Sequence, residues 1–265
     1  MAASPTILVF DSGLGGLTVF REIAAARPDA DFLYVADDAG FPYGALAEPA
    51  VISRVVSLMT DLIAAQQPDL AVIACNTAST LVLPALRQKF QVPFVGTVPA
   101  IKPACAASVT RRVSVLGTEG TVAREYTRAL IHDYAGDCQI TLVGSKKLAG
   151  YAEDDIAGMP VSDAALRDEI APAFVDDGGR TDTIVLACTH YPLLLDRLCQ
   201  LSPWPVSFID PAPAIARRVV NLLGSALPGA PAGTARAIFT SGNTPVAALA
   251  RFGIQIGVPA ATEAN

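Results

Sequence analysis

A chain of 265 residues, 52% of them hydrophobic, can fold as one large domain or two of ordinary size, each with its own core. The net charge of −6 and doubled basics only at Arg111-Arg112, Lys146-Lys147 and Arg217-Arg218 exclude nucleic acid as an expected partner. Charged residues or prolines break every apolar stretch short of the roughly 18 residues that span a bilayer, so no membrane partner is expected either.

In chain order, Met1 to Phe10 shows no basic segment followed by a long apolar one, and a cytoplasmic location is the expectation. Short apolar runs then alternate with stretches of helical period. Strands are predicted at Ile7–Phe10, Phe32–Val35, Leu70–Ala74, Phe94–Gly96, Val113–Leu116, Ile140–Val143, Thr183–Ala187, Val206–Ile209 and Ala237–Phe239. Runs this continuously apolar suit parallel sheets covered on both faces. Between the second and third, Val51, Val55, Leu58 and Leu62 mark a helix that ends before Pro68.

An internal repeat organises these elements. Asp69-Leu-Ala-Val-Ile-Ala-Cys-Asn-Thr77 lies over Asp182-Thr-Ile-Val-Leu-Ala-Cys-Thr-His190 without a gap, and Val92–Ile101 lies over Val206–Ile215. A weaker echo sets Phe10-Asp-Ser-Gly against Leu116-Gly-Thr-Glu. The order implies two similar three-layer α/β domains with mainly parallel sheets, related by a pseudo-twofold axis, with the site between them. The expected division is residues 1–98 with 211–255 for the first domain and 99–210 for the second.

The repeat puts one cysteine, Cys75 or Cys188, at the C-terminal end of a strand in each half, next to an expected helix N-terminus. Backbone N–H groups there lower a thiol pKa and hold a carboxylate. Either cysteine alone could be an inert buried residue; the matched pair suits inversion of a stereocentre, which needs a base on one face and an acid on the other. Five scattered cysteines without CxxC, and two histidines, give no disulfide framework and no metal site.

Other residues carry weaker signals. Asp11-Ser12-Gly13-Leu14-Gly15-Gly16 is a glycine-rich turn that lets backbone approach a ligand but lacks the spacing of a dinucleotide fingerprint or a P-loop. Asp11 could orient a thiol, meet an ammonium group, or cap a helix. Pro42-Tyr43-Gly44 reads as a turn with a hydroxyl and a backbone N–H to offer. Thr118 and Thr121 could bind a carboxylate or cap a helix. His190 could assist Cys188 as a proton partner or be structural. Glu153, beside Asp154 and Asp155, reads first as part of a solvated acidic turn.

Taken together, FDSGLGGLTV, FPYG, ACNTAS, GTEGT and ACTHYP resemble the glutamate racemases of the aspartate/glutamate racemase family, from Ile7 to about Ala216. Related enzymes acting on aspartate usually carry glutamate where His190 stands. The resemblance implies interconversion of L- and D-glutamate to supply peptidoglycan, without a cofactor. It assigns deprotonation of D-glutamate to Cys75, with Asp11 near it, and of L-glutamate to Cys188, with His190 near it. Ser12, Tyr43, Gly44, Asn76, Thr77, Thr118, Thr121 and Thr189 match positions that hold the substrate's carboxylates and amino group. Glu153 matches an acidic residue near the site, and the family's variable assembly leaves a homodimer open.

Four other readings compete. An aspartate racemase would differ in substrate only, and a Cys/His hydrolase would need one cysteine rather than two. A pyridoxal enzyme needs a Schiff-base lysine, and Lys89, Lys102, Lys146 and Lys147 all lack a glycine-rich phosphate-binding context. A two-lobed amino-acid-binding module would share the cleft without needing the thiols.

Overall fold

The structure, a computed structural model, describes residues 4–226 and 228–256. Residues 1–3 and 227, which fall within the expected first domain, and residues 257–265 lie outside the described residues.

The first sheet contains β1 (Thr6–Asp11), β2 (Asp31–Ala36), β3 (Leu70–Ile73), β4 (Phe94–Gly96), β9 (Ala235–Phe239) and β10 (Gln255–Ile256), in the order β10-β9-β2-β1-β3-β4. The second contains β5 (Arg112–Thr118), β6 (Gln139–Ser145), β7 (Thr183–Ala187) and β8 (Ser207–Ile209), in the order β6-β5-β7-β8. Every pairing is parallel. The nine strands predicted from apolar runs are present, shifted at their ends by a few residues, and β10 is one that no apolar run announced.

Alternation along β1 sends Ile7 and Val9 to one face, against α1 (Leu17–Ala26) and α10 (Ala212–Leu223). Leu8 and Phe10 go to the other, against α2 (Glu48–Gln66) and α3 (Asn76–Lys89). In the second sheet Val113, Val115 and Val185 face α4 (Ile101–Ala107) and α6 (Glu125–Tyr134). Leu116, Ile184 and Leu186 face α7 (Leu148–Ile156), α8 (Asp163–Ile170) and α9 (Leu195–Leu201). Each sheet is therefore the middle of three layers, and each fully buried Ile or Leu contributes about 2 kcal/mol by leaving water. Of the predicted stripe on α2, Val51 and Val55 are buried and Leu58 and Leu62 partly so, with Met59 buried beside them, and the helix stops at Gln67, whose φ of 44° is left-handed, just before Pro68.

The repeat extends to register. Ile7 pairs with Leu70 and Phe32, and Val113 pairs with Thr183 and Ile140. Ala71 pairs with Phe94 as Ile184 pairs with Phe208. Leu70 and Thr183 superpose when Asp69 is laid over Asp182, Phe94 and Phe208 when Val92 is laid over Val206, and Ile7 and Val113 when Phe10 is laid over Leu116, so β2-β1-β3-β4 and β6-β5-β7-β8 are the same arrangement, made twice. Two connections pass between the sheets, from β4 into α4 and from β8 into α10.

Candidate active site

The C-terminal ends of β3 and β7 open on one cavity of about 20 Å³, and both Cys75 and Cys188 line it. Both thiols are buried, and all five cysteines of the chain are unpaired.

Cys75 takes extended backbone angles and stands as the N-cap of α3, where its Sγ accepts a hydrogen bond from Ala78 N at 3.5 Å. Ser12 Oγ lies 3.7 Å from the same sulfur. Burial pushes the Cys75 thiol well above its usual pKa, and the neighbouring Asp11 carboxylate adds to the rise. Asp11 sits one layer behind the cavity wall, fully buried. Its Oδ2 accepts from Gly16 N at 2.6 Å, but Gly16 and not Asp11 is the N-cap of α1, so Asp11 holds the turn before the helix rather than capping it. Burial also raises the Asp11 pKa, with the charge of His190 and the backbone N–H groups of Gly16 and Ser12 pulling the other way.

The surroundings of Cys188 correct one expectation. No helix N-terminus follows it directly: a short 3₁₀ turn, Tyr191–Leu194, intervenes before α9. Pro192 stands in the first positions of this turn, where its missing N–H leaves no helical bond unmade. In place of helix N–H groups, this sulfur has His190, whose Nδ1 lies 3.8 Å from Sγ. His190 Nε2 lies 2.7 Å from Glu153 Oε1. Burial disfavours a charged ring, yet the bonds to Cys188 and Glu153 outweigh it and hold the His190 pKa well above its ordinary value.

Glu153 is a second correction. It belongs to α7 rather than to a solvated turn, and its Oε1 also accepts from Leu14 N at 2.6 Å, across the two sheets. The same contact explains the glycine-rich turn. A Cβ on Gly13 would collide with Glu153 Oε1, and one on Gly15 would fall 2.7 Å from His190 N. The absent side chains admit His190 and Glu153 from the other unit, where backbone approach to a ligand was expected.

The remaining predicted residues complete the wall. Ser12, Tyr43, Gly44, Asn76, Thr77, Thr118 and Thr189 line the cavity, and Phe41 closes it beside the His190 ring, 5.3 Å between centroids. Thr118 caps α5 (Glu119–Ala123) by accepting from Thr121 N at 3.1 Å while keeping its side chain at the wall. Thr121 lies behind it, and the hydroxyls of Thr77, Thr118 and Thr121 form a triangle with sides of 3.3, 3.3 and 2.9 Å. Thr189 presents its carbonyl to Thr18 Oγ1 at 3.2 Å. Asn76 Oδ1 accepts from Thr97 Oγ1, whereas its buried Nδ2 has no partner among the described residues.

Sequence reasoning missed three charged residues that support this wall. Tyr43 donates its hydroxyl proton to Asp37, which is also held by Arg54 Nη2 at 2.6 Å and Thr240 Oγ1 at 2.7 Å. Burial opposes the charge on Asp37, but these bonds keep its pKa below the usual carboxylate value. Arg124 donates to Thr77 O and Thr80 Oγ1. Asp37 follows β2 at the same sheet edge as Asp11, the one signal that could have found it; Arg54 lies on an ordinary helical stretch and Arg124 in the one-residue break between α5 and α6, and neither gives one.

Among the described residues no helix is long and apolar enough to cross a membrane, and no three His, Cys, Asp or Glu side chains gather to hold a metal ion.

The model of the Asp/Glu/Hydantoin racemase family matches residues 12–219. A glutamate racemase of Brucella anthropi is 57% identical over 223 residues, 83% of this chain and 80% of that protein. The crystal structure of Escherichia coli glutamate racemase in complex with L-glutamate and the activator UDP-MurNAc-ala is 41% identical, with a TM-score of 0.85 over 95% of this chain and 96% of that one. The enzyme from Thermus thermophilus, in complex with beta-chloro-D-alanine, is 29% identical, with a TM-score of 0.72 over 97% and 98%.

Proposed function

The chain belongs to the Asp/Glu/Hydantoin racemase family, and from that premise we propose that it interconverts L- and D-glutamate by carrying the α-proton between Cys75 and Cys188. The observation that carries this reading is that two thiols, supplied by equivalent strand ends of two sheets, open on one cavity. A hydrolase would need only one of them.

In the L-to-D direction the thiolate of Cys188 takes the α-proton from one face and the thiol of Cys75 returns a proton to the other. The two sulfurs exchange protonation states, and the reverse reaction restores them. No bond to carbon other than C–H is made or broken, and no cofactor is called for. The high pKa of Cys75 suits the thiol that donates, and His190 beside Cys188 can return a proton there as imidazolium and withdraw one as neutral imidazole. The unpartnered Nδ2 of Asn76 and the three threonine hydroxyls are donors suited to the substrate's carboxylates. A buried amide N–H without an acceptor costs about 1–3 kcal/mol, which an arriving carboxylate would recover.

A cavity of about 20 Å³ has room for about one water, so the two units must part for glutamate to enter. On this reading residues 1–98 with 211–255 move against 99–210. The enzyme works in the cytoplasm, takes glutamate as its small-molecule partner, and supplies D-glutamate for peptidoglycan. Incubation of the pure protein with L-glutamate in D2O tests it: optical rotation decays to zero while the α-proton signal is lost. Exchange without inversion, or binding without exchange, sinks the two-base reading. Faster turnover of aspartate reassigns the substrate.

A further inference from the structure

Arg124 stands between α5 and α6, in the unit built on the second sheet, yet its side chain reaches the other unit. Nε donates to Glu48 Oε1 at 3.2 Å, and Nη1 donates to Thr77 O and Thr80 Oγ1, both at 3.3 Å. The residue is only 8% exposed. A guanidinium this buried loses much of its hydration, and its one carboxylate partner, Glu48, is 59% exposed and screened by water. The positive charge is therefore left largely uncompensated. Arg54, the other arginine near the wall, is neutralised by the buried Asp37.

Thr77 is the link to the site. It lies in the first turn of α3, two residues after Cys75, and its hydroxyl is one corner of the threonine triangle. Among the described residues no lysine or arginine lines the cavity itself. A substrate with two carboxylates consequently meets one cationic group, His190 beside Cys188, and neutral donors on the rest of the wall.

Resting on the glutamate reading, we infer that Arg124 is a positioning residue: it latches the two units closed over the substrate and sets a positive charge behind the hydroxyls of Thr77, Thr118 and Thr121. It touches neither sulfur. Its loss therefore weakens the hold on substrate equally for both enantiomers and leaves proton transfer intact.

The test is steady-state racemisation in both directions by wild type, Arg124→Gln, Arg124→Lys and Thr80→Val, with melting temperatures alongside. Arg124→Gln raises KM for both enantiomers by about tenfold or more, the scale of a lost charge-assisted hydrogen bond, with kcat changed by less than about threefold. Arg124→Lys keeps the charge and falls between the glutamine variant and wild type; Thr80→Val keeps the charge, loosens the latch, and gives a smaller rise of the same kind. A KM within about twofold of wild type in Arg124→Gln overturns the inference. So does a lysine variant as defective as the glutamine one, or a loss confined to kcat. Should Arg124→Gln lose cooperative melting, the other two variants decide, and wild-type KM values in both overturn it. A wild type that does not racemise glutamate removes the functional reading instead.

Discussion

Asp69–Thr77 and Asp182–His190 occupy the same place in two sheets of the same strand order and register, and each delivers a cysteine to the shared cavity. Beyond the cysteine they part. After Cys75 the helix begins at once, and the sulfur receives a backbone N–H and lies beside the Ser12 hydroxyl. After Cys188 a proline-containing turn delays the helix, and the sulfur receives an imidazole steadied by Glu153. Duplication thus explains why two thiols open on one cavity, and local divergence explains why each has its own neighbours.

The largest effect tests the equivalence of the sulfurs. Cys75→Ser and Cys188→Ser each slow racemisation by about 10³-fold, and kcat/KM falls equally in both directions because L- and D-glutamate have equal free energy. The comparison sharpens in D2O: Cys75→Ser still exchanges the α-proton of L-glutamate, Cys188→Ser that of D-glutamate. Either variant retaining more than about a tenth of the wild-type racemisation breaks the pairing.

A smaller effect probes the divergence. Glu153→Gln removes an anion that raises the His190 pKa, so the alkaline limb of the kcat/KM profile moves to lower pH and the rate at neutrality falls by about tenfold. The sign for stability follows from the raised value. The ring's contribution is fully present below the ordinary imidazole pKa of about 6.5 and is lost as pH rises through the folded-state pKa. Thermal melts should therefore separate wild type from Glu153→Gln at about pH 6 and converge in alkali. An unmoved alkaline limb would show that His190 is not the group titrating.

The smallest effect lies at the other end of the same strands. Asp182 accepts from Ser108 Oγ, Val109 N, Thr110 N and Thr183 Oγ1 at 2.6 to 2.9 Å, whereas the matched Asp69 accepts from Thr6 N at 2.8 Å. Urea unfolding of Asp182→Asn should show a loss of about 2 kcal/mol, against less than about 1 kcal/mol for Asp69→Asn. Burial raises the Asp182 pKa but the bonds from Ser108, Thr110 and Thr183 bring it below the usual value. Its contribution is present above the unfolded pKa of about 3.9 and fades as pH falls through the lower folded one. Equal losses in the two variants would mean that the strand starts have not diverged.

Much of this was legible beforehand. Apolar runs located the strands because a strand covered on both faces must be apolar throughout, as β3 and β7 are. The gapless overlay of the two cysteine segments foretold a shared register, since side-chain alternation forbids a one-residue slip without turning the core outward. Glu153 was not legible: its acidic neighbours suggest water, and only the packing of α7 brings it to His190. Likewise, the glycines at 13 and 15 announce close approach without saying of what.

By itself, then, the sequence determined the order of elements, the duplication and the two thiols at strand ends, all of which follow from short-range periodicity and backbone chemistry. Tertiary structure alone decided that Glu153 meets Leu14 across 139 residues, that Tyr43 leans on Asp37 and Arg54, and that Arg124 bridges the cleft. The first and last of these depend on how two sheets are set against each other, and the second on how α2 and the Tyr43–Ala45 turn pack on the first sheet; side chains that meet across such gaps leave no trace in local pattern.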